Sequence, residues 1–171
     1  MKVVLSEYNT NWPVMFEQER AGLLDIIGNT NCQIEHIGST SVPDLLSKPI
    51  IDIMIGLTDF SSADDLAKQF VEREYQYYPQ YEDVMPYRRF FKKIDKGTIT
   101  HHIHMVEIAG EFWKRHLLFR DHLRNNPAIA DEYAALKNEL AKREWEVSND
   151  FSQAKTEFVK RIERQAGHIS R

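Results

Sequence analysis

Residues 35–43 read EHIGSTSVP and residues 48–53 read KPIIDI, and these two segments decide the fold. The first predicts a short strand over residues 33–37 that ends at Gly38. The second belongs to PIIDIMIGL (residues 49–57), the most apolar run in the chain, which predicts a central buried strand. Asp52 lies within that strand, where a carboxylate is costly unless it has a partner. Gly38 and Asp52 are therefore the first candidates for a functional role.

The turn after the first strand has the chemistry of a phosphate site. Gly38 allows a tight turn and a close approach of backbone amides to a ligand. The hydroxyl donors and the nearby cation that suit phosphate oxygens are Ser39, Thr40, Ser41 and Lys48. The glycine and lysine order of a P-loop is missing. A capped turn beside an Asp52 that pairs with Lys48 or an arginine explains the same residues.

Outside these segments, the pattern predicts a mixed α+β domain. A helix starts at Asn11 and ends near Gly28, and another covers residues 61–74. Two strands over 87–94 and 98–108 flank Asp-Lys-Gly, which is typical of a hairpin. Three helices follow from Glu111, the last marked by apolar residues at 151–166. We predict one domain over residues 1–171, with an α/β core at 1–110 and a helical part at 111–171.

The second strand of the hairpin carries closely spaced histidines. His102 and His104 are two residues apart and therefore project from one face. If this strand lies beside Asp52, the three side chains form a possible metal site, with His36 as a potential fourth member. Imidazoles favour Zn²⁺, Mn²⁺ or Fe²⁺ over Mg²⁺. The alternative is that the histidines are half-buried strand residues with hydrogen-bonded neighbours, or phosphate donors.

Cationic and aromatic residues elsewhere extend the candidate site. Arg88 and Lys92 share one strand face, and Arg88 suits a bidentate phosphate or carboxylate contact. Arg120 lies beside Asp121, which is a possible ion-pair partner. Tyr133 and Lys137 are one helical turn apart and can line a pocket. For Lys137 and for Lys155, the pattern favours a solvated helix face.

Composition limits the partners. Twenty-two Lys and Arg against 26 Asp and Glu give a net charge of −4, which argues against a nucleic-acid partner. One cysteine, Cys32, excludes a disulfide framework. The N-terminal apolar stretch is too short for a signal peptide, and no segment is long enough to span a bilayer. These features predict a cytoplasmic protein with a small-molecule partner and no membrane contact; the oligomeric state is undetermined.

EHIGSTSVPDLLSKPIIDI (residues 35–53) resembles the signature of the GrpB family. The resemblance continues through Arg88, HHIHMV at 101–106, FRDHLR at 119–124, and Tyr133, Lys137 and Lys155. Members of this family resemble the nucleotidyltransferase superfamily of the DNA polymerase β type, and some are fused to dephospho-CoA kinase. The resemblance implies a nucleotidyltransferase-like fold: a mixed β-sheet flanked by helices.

The resemblance also implies roles for single residues. Gly38 and Ser39 match the turn that holds a triphosphate, and Asp52 matches the first metal-binding carboxylate. The second carboxylate position is Met54, a poor Mg²⁺ ligand. We expect Asp52, His102 and His104 to be the catalytic and metal-binding groups. The nucleotide or phosphate ligands are expected to be His36, Gly38, Ser39, Thr40, Ser41, Lys48, Arg88, Arg120, Tyr133 and Lys137.

Three functions are compatible with these residues. The first is nucleotidyl transfer from a nucleotide with a divalent metal, Mg²⁺, Mn²⁺ or Zn²⁺. The second is a catalytically degenerate module that binds a nucleotide or another phosphate-bearing small molecule. The third is a metal-dependent hydrolase or phosphotransferase built on Asp52 and the histidines. The sequence does not decide whether the protein is an enzyme.

Overall fold

The computed structural model describes residues 1–167, which form a mixed sheet covered by helices. The strands are β1 (Cys32–Ile37), β2 (Ile51–Leu57), β3 (Gln76–Tyr77), β4 (Arg88–Asp95) and β5 (Thr98–Glu107). The helices are α1 (Trp12–Ile27), α2 (Ala63–Glu72), α3 (Glu111–Asn125), α4 (Pro127–Ala141), α5 (Ser148–Gln153) and α6 (Thr156–Gln165). Within residues 1–167, no helix has the length and apolarity needed to cross a membrane.

The sheet has five strands in the order β1-β2-β5-β4-β3. Strands β1 and β2 pair antiparallel, β2 and β5 pair parallel, and β4 and β5 form the predicted antiparallel hairpin. Lys96 and Gly97 have positive φ at the hairpin turn, as a tight turn of this type requires. The α+β fold class is confirmed. Because the chain passes from β2 through α2, β3 and β4 before it returns as β5, the strand that carries Asp52 lies beside the strand that carries the histidines.

The two faces of the sheet are buried by different helices. Ile53 and Ile55 of β2 pack in the large core on the side of α1 and α2. Met54, on the opposite face, packs with Phe112 and Trp113 of α3. Gly56 allows this approach, because a Cβ there would lie 2.6 Å from a ring atom of Trp113. Strand alternation then assigns the even-numbered residues of β2 to the α3 face.

The last predicted helix is interrupted. Instead of one helix over residues 151–166, the chain forms α5 and α6 with a break at Ala154 and Lys155. The break has a packing reason, since Phe151 joins a cluster with Val3 while Phe158 stacks on Tyr133 at 5.0 Å. A continuous helix would hold these two rings on one face. The interruption points Lys155 back toward the sheet.

Candidate active site

The glycine turn lies directly against Asp52. Gly38 follows β1 with φ 73° and ψ −176°, a conformation essentially limited to glycine. A Cβ at Gly38 would lie 2.6 Å from Asp52 Oδ2, so the missing side chain is also required for space. Residues Ser39–Ser41 form a 3₁₀ turn, and the first amides of such a turn have no partner inside it. The turn and the carboxylate therefore form one surface.

The parallel pairing of β2 and β5 brings the predicted catalytic residues together. Asp52 is in register with His102, and Met54 is in register with His104. Asp52 Oδ1 lies 3.4 Å from His102 Nδ1 and 3.5 Å from His104 Nε2. One carboxylate oxygen thus faces both imidazoles. Burial alone would raise the pKa of Asp52, but hydrogen bonds from the two histidines, and their charge once acid protonates them, outweigh it and hold the pKa far below its usual range.

Arg88 determines the tautomer of His104. Its Nη1 lies 3.2 Å from His104 Nδ1. A guanidinium only donates hydrogen bonds, so Nδ1 must accept. Burial lowers the pKa of His104 despite the neighbouring Asp52, which makes the imidazole neutral. Its proton is therefore on Nε2, the nitrogen that faces Asp52.

This network does not have the arrangement of a metal site. With one nitrogen of His104 accepting from Arg88 and the other protonated, the ring has no lone pair for a metal. Within residues 1–167, no group of three or more His, Cys, Asp or Glu side chains is arranged to hold a metal ion. The predicted three-ligand set of Asp52, His102 and His104 does not fit a transition metal as it is hydrogen-bonded here.

Met54 occupies the position of the second carboxylate. It is fully buried in a cluster with Ile37, Val106 and Phe112. The structure leaves no space for a charged group there without disrupting this packing. The two-carboxylate arrangement expected of metal-dependent nucleotidyl transfer is therefore absent on β2, because an apolar contact with α3 has taken its place.

Three lysine side chains lie near the turn and Asp52. Lys48 Nζ and Lys155 Nζ are each 4.7 Å from the centre of the Phe151 ring. Lys137 Nζ donates to the Leu46 carbonyl. Burial lowers the pKa of all three, and for Lys137, only 2% exposed, burial and the charge of Lys155 lower the pKa to about 7. The expectation of a solvated face is wrong for Lys137.

Tyr133 connects these lysines to the turn. Burial raises the pKa of its hydroxyl to about 12 against the opposing effect of the Ser39 side chain. Lys137 Nζ lies 4.6 Å from the centre of its ring. The negative charge of Asp52 acts on both Lys48 and Lys155, raising their pKa values against the effect of burial. Turn, carboxylate and amines therefore belong to one electrostatic unit.

His36 and two hydroxyl residues lie outside this unit. In the β1–β2 register His36 pairs with Ile53, so its ring points to the opposite face, where it stacks on Phe16 at 4.9 Å. This corrects the expectation that His36 is a fourth member of the histidine site. Thr40 hydrogen-bonds His36, with 2.9 Å between Oγ1 and Nε2, and the Ser41 hydroxyl donates to the Gly38 carbonyl at 2.5 Å. These side chains hold the conformation of the turn through hydrogen bonds on the side away from Asp52.

Arg120 attaches α3 to the back of the turn. Its Nη1 donates to Glu35 Oε2 at 2.7 Å and to the His36 carbonyl at 3.1 Å, and its Nε donates to Asp121 Oδ1 at 2.8 Å. The pairing of Arg120 with Asp121 follows the sequence prediction. Since these bonds occupy the guanidinium, it positions the strand that leads into the turn.

Burial of His36 predicts a loss of stability in mild acid. Desolvation lowers the pKa of His36 to about 4, against about 6.5 unfolded. Below pH 6.5 the unfolded chain binds a proton that the folded chain rejects, so stability falls as pH decreases toward 4. The contribution is about 2 kcal/mol between pH 7 and pH 5. Urea unfolding at both pH values should show this loss reduced in His36→Gln; an unchanged difference would contradict the assignment.

Sequence reasoning did not place Lys155, Tyr81 or Phe90 in the candidate site. Lys155 lies in a break between two helices, and the sequence there has no glycine or proline that would predict a break. Phe90 contacts both histidines, with ring centres 5.4 Å from His102 and 5.1 Å from His104. The sequence did contain a signal for Phe90. It lies between Arg88 and Lys92 on β4, and alternate residues of a strand share one face, so the assignment of Arg88 and Lys92 to the site face also applies to Phe90.

The sheet order and the glycine turn against Asp52 define a nucleotidyltransferase-like fold. A crystal structure of the poly(U) polymerase Cid1 with bound MgGTP superposes with a TM-score of 0.57, covering 81% of this chain and 45% of Cid1 at 13% identity. At this identity the likeness concerns the fold alone.

The chain belongs to the GrpB family, whose model, described as GrpB protein, matches residues 2–165. The crystal structure of conserved protein GrpB from Enterococcus faecalis has a TM-score of 0.84 and 37% identity, covering 95% of this chain and 96% of that one. UPF0157 protein YqkA of Bacillus subtilis is 38% identical over 96% of this chain; the chain spans 47% of that relative's length. Dephospho-CoA kinase of Mycobacterium leprae is 28% identical over 75% of this chain and 38% of its own length.

Proposed function

We propose that this protein binds the phosphate groups of a small molecule, with a nucleotide as the favoured class, between the Gly38 turn and a cluster formed by Lys48 and two lysines of the helical half. The observation that carries the proposal is that Lys48, Lys137 and Lys155 have no carboxylate within 4 Å anywhere in residues 1–167. Partly buried amines that repel one another are stabilised by a bound anion. A polyphosphate supplies several negative oxygens at once.

The turn supports the same ligand. Amides at the start of the 3₁₀ turn and the Ser39 hydroxyl suit phosphate oxygens. Cid1, which shares the fold, was crystallised with MgGTP, and this motivates a nucleotide as the first ligand class to test. The likeness of part of the chain to dephospho-CoA kinase fits a nucleotide-related ligand as well.

Calorimetric titration with inorganic tripolyphosphate and with ATP tests this site. Charge-assisted hydrogen bonds contribute about 1.5–3 kcal/mol each, so Lys48→Gln and Lys155→Gln should each raise Kd at least about 10-fold. Lys142→Gln is the matched control, since its side chain is 69% exposed and pairs with Glu139. Equal affinities in the two site variants and the control, or no binding of either probe, would rule out the lysine site.

The Asp52 carboxylate gives a second test, which includes the predicted metal. Without metal, Asp52→Asn should bind tripolyphosphate more tightly, because a negative charge next to the amines is removed. If Asp52 holds Mg²⁺ or Mn²⁺, either metal should increase ATP affinity in the wild type but not in Asp52→Asn. Asp44→Asn, at an exposed position of the same segment, is the control. A metal effect that is equal in all three proteins would exclude Asp52 as a ligand.

The geometry of His102 favours transfer as a second candidate function. Asp52 faces its Nδ1, which leaves Nε2 with no protein partner among the described residues. An imidazole oriented in this way can accept a proton from an acceptor hydroxyl. The acceptor oxygen would then bond to the α-phosphorus while the bond to the β-phosphate breaks and pyrophosphate leaves. His102→Gln should abolish release of pyrophosphate from ATP while leaving ATP affinity within a factor of about two.

A further inference from the structure

We infer that a second ligand subsite lies at the other end of the polar face, where Arg88 and Lys92 flank the rings of Tyr78, Tyr81 and Phe90. Its ligand is a planar aromatic ring that carries an anionic group. This inference deepens the proposed function and rests on it. The ring-bearing ligand would bind here and the polyphosphate would bind at the lysines, and the two ligands would meet at His102.

The aromatic cluster has an open side. Tyr81, on the 3₁₀ turn Pro79–Asp83, is 43% exposed and stacks on Tyr78 with ring centres 6.0 Å apart and planes at 14°. Phe90 lies beneath both, at 5.8 Å from Tyr78 and 5.7 Å from Tyr81. Exposed aromatic faces supported from below are suitable stacking surfaces for a planar ring.

Arg88 lacks the partner that a half-buried guanidinium needs. Within residues 1–167 no carboxylate lies within 4 Å of it, and its buried Nε has no hydrogen-bond partner. Arg89, the next residue, pairs with Asp64 at 2.8 Å and Glu82 at 3.4 Å. Arg88 is instead stacked over Phe90, with its Cζ 4.8 Å from the ring centre. An anionic group on the ligand would supply a charge partner through Nη2, which no hydrogen bond to the described residues occupies.

Lys92 gives the subsite a second cation on the other side of the rings. Its Nζ lies 4.5 Å from the centre of the Tyr78 ring. Lys92 pairs with His102 in the β4–β5 register, and Phe90 pairs with His104. A ligand held between Arg88 and Lys92 therefore lies beside the two histidines, which Phe90 contacts directly. Two cations held over aromatic rings select against cationic ligands.

Calorimetric titration with AMP, UMP and nicotinate tests this subsite, and tripolyphosphate reports on the lysine site separately. Base stacking on one aromatic side chain predicts a rise of about 10-fold in Kd for AMP and UMP in Tyr81→Ala. Tyr81→Phe keeps the ring and should bind like the wild type. Arg88→Met should weaken all three ring-bearing anions, and Arg88→Lys should restore only part of the affinity, since a lysine lacks the planar fork.

The outcomes separate the two proposals. Tripolyphosphate should bind Tyr81→Ala as it binds the wild type, while AMP and UMP should bind both Tyr81→Ala and Arg88→Met more weakly. If AMP, UMP and nicotinate bind these variants with wild-type affinity, or if none binds the wild type below about 10 mM, the subsite is refuted while the lysine site stands. If tripolyphosphate fails on every protein but Tyr81→Ala still weakens AMP, the lysine site is refuted and the ring subsite stands.

Discussion

Gly38→Ala should destabilise the protein by about 2–6 kcal/mol and weaken tripolyphosphate binding at least about 10-fold. Two effects add at this position. An alanine at φ 73° and ψ −176° is strained, and its Cβ would lie 2.6 Å from Asp52 Oδ2. The turn or the Asp52 carboxylate would have to move to relieve this close contact. Since the turn amides and Asp52 are parts of one surface, stability and ligand affinity should fall together.

The matched control for this variant is Gly28→Ala. Gly28 also has a positive φ, 62°, but a Cβ there would meet nothing within 4 Å. It should cost only the backbone strain, about 1–3 kcal/mol, and leave ligand affinity unchanged. Urea unfolding and calorimetry on both variants measure the difference. Equal losses of stability in the two variants would mean that Asp52 can move away from the alanine Cβ without loss of stability, which would contradict a close-packed contact between the turn and Asp52.

Glu19→Ala should lower the free energy of unfolding by about 2–4 kcal/mol. For a chain of this size, each kcal/mol lost should lower Tm by about 2–4 °C. Glu19 is 6% exposed on α1 and accepts a hydrogen bond from the Tyr75 hydroxyl. It also pairs with Lys93 Nζ at 2.6 Å, and His101 Nε2 lies 3.8 Å away. Alanine would leave a buried hydroxyl without a partner and open a cavity between α1 and the sheet.

Two further variants isolate the cause. Glu17→Ala removes an acid from the same helix at a position 65% exposed, where it faces Arg20 at 3.9 Å, so the change should be within about 0.5 kcal/mol. Glu19→Gln keeps an acceptor for Tyr75 and loses only the charge toward Lys93, so its loss should be intermediate. Thermal unfolding of all three decides the matter. A Glu19→Ala protein as stable as Glu17→Ala would show that the buried network contributes nothing.

Local patterns predicted most of the strands and their faces. The apolar run around Asp52 and the alternation of His102 and His104 are visible within a few residues of each side chain, because a strand has a two-residue period. The hairpin between β4 and β5 followed from its turn residues. Alternation within a strand could not show that His36 lies on the face opposite Asp52, because this depends on the register of β1 with β2.

The helical half was harder to predict. Periodicity predicted helices after residue 110 but not the break at Lys155, which depends on where Phe151 and Phe158 find apolar partners. The burial of Lys137 was missed for the same reason. A lysine one turn from a tyrosine is usual on a solvated helix, and the carbonyl that accepts from it belongs to Leu46, 91 residues away.

By itself, the sequence determined the family resemblance, the mixed α+β class, the glycine turn and the face that His102 and His104 share, because each depends on residues close together in the chain. Only the tertiary structure decided that one carboxylate oxygen faces both histidines, that Arg88 fixes the tautomer of His104, and that three lysines converge beside the turn. These features depend on parallel pairing and helix docking. Both bring together residues from distant parts of the chain, and local periodicity does not predict such contacts.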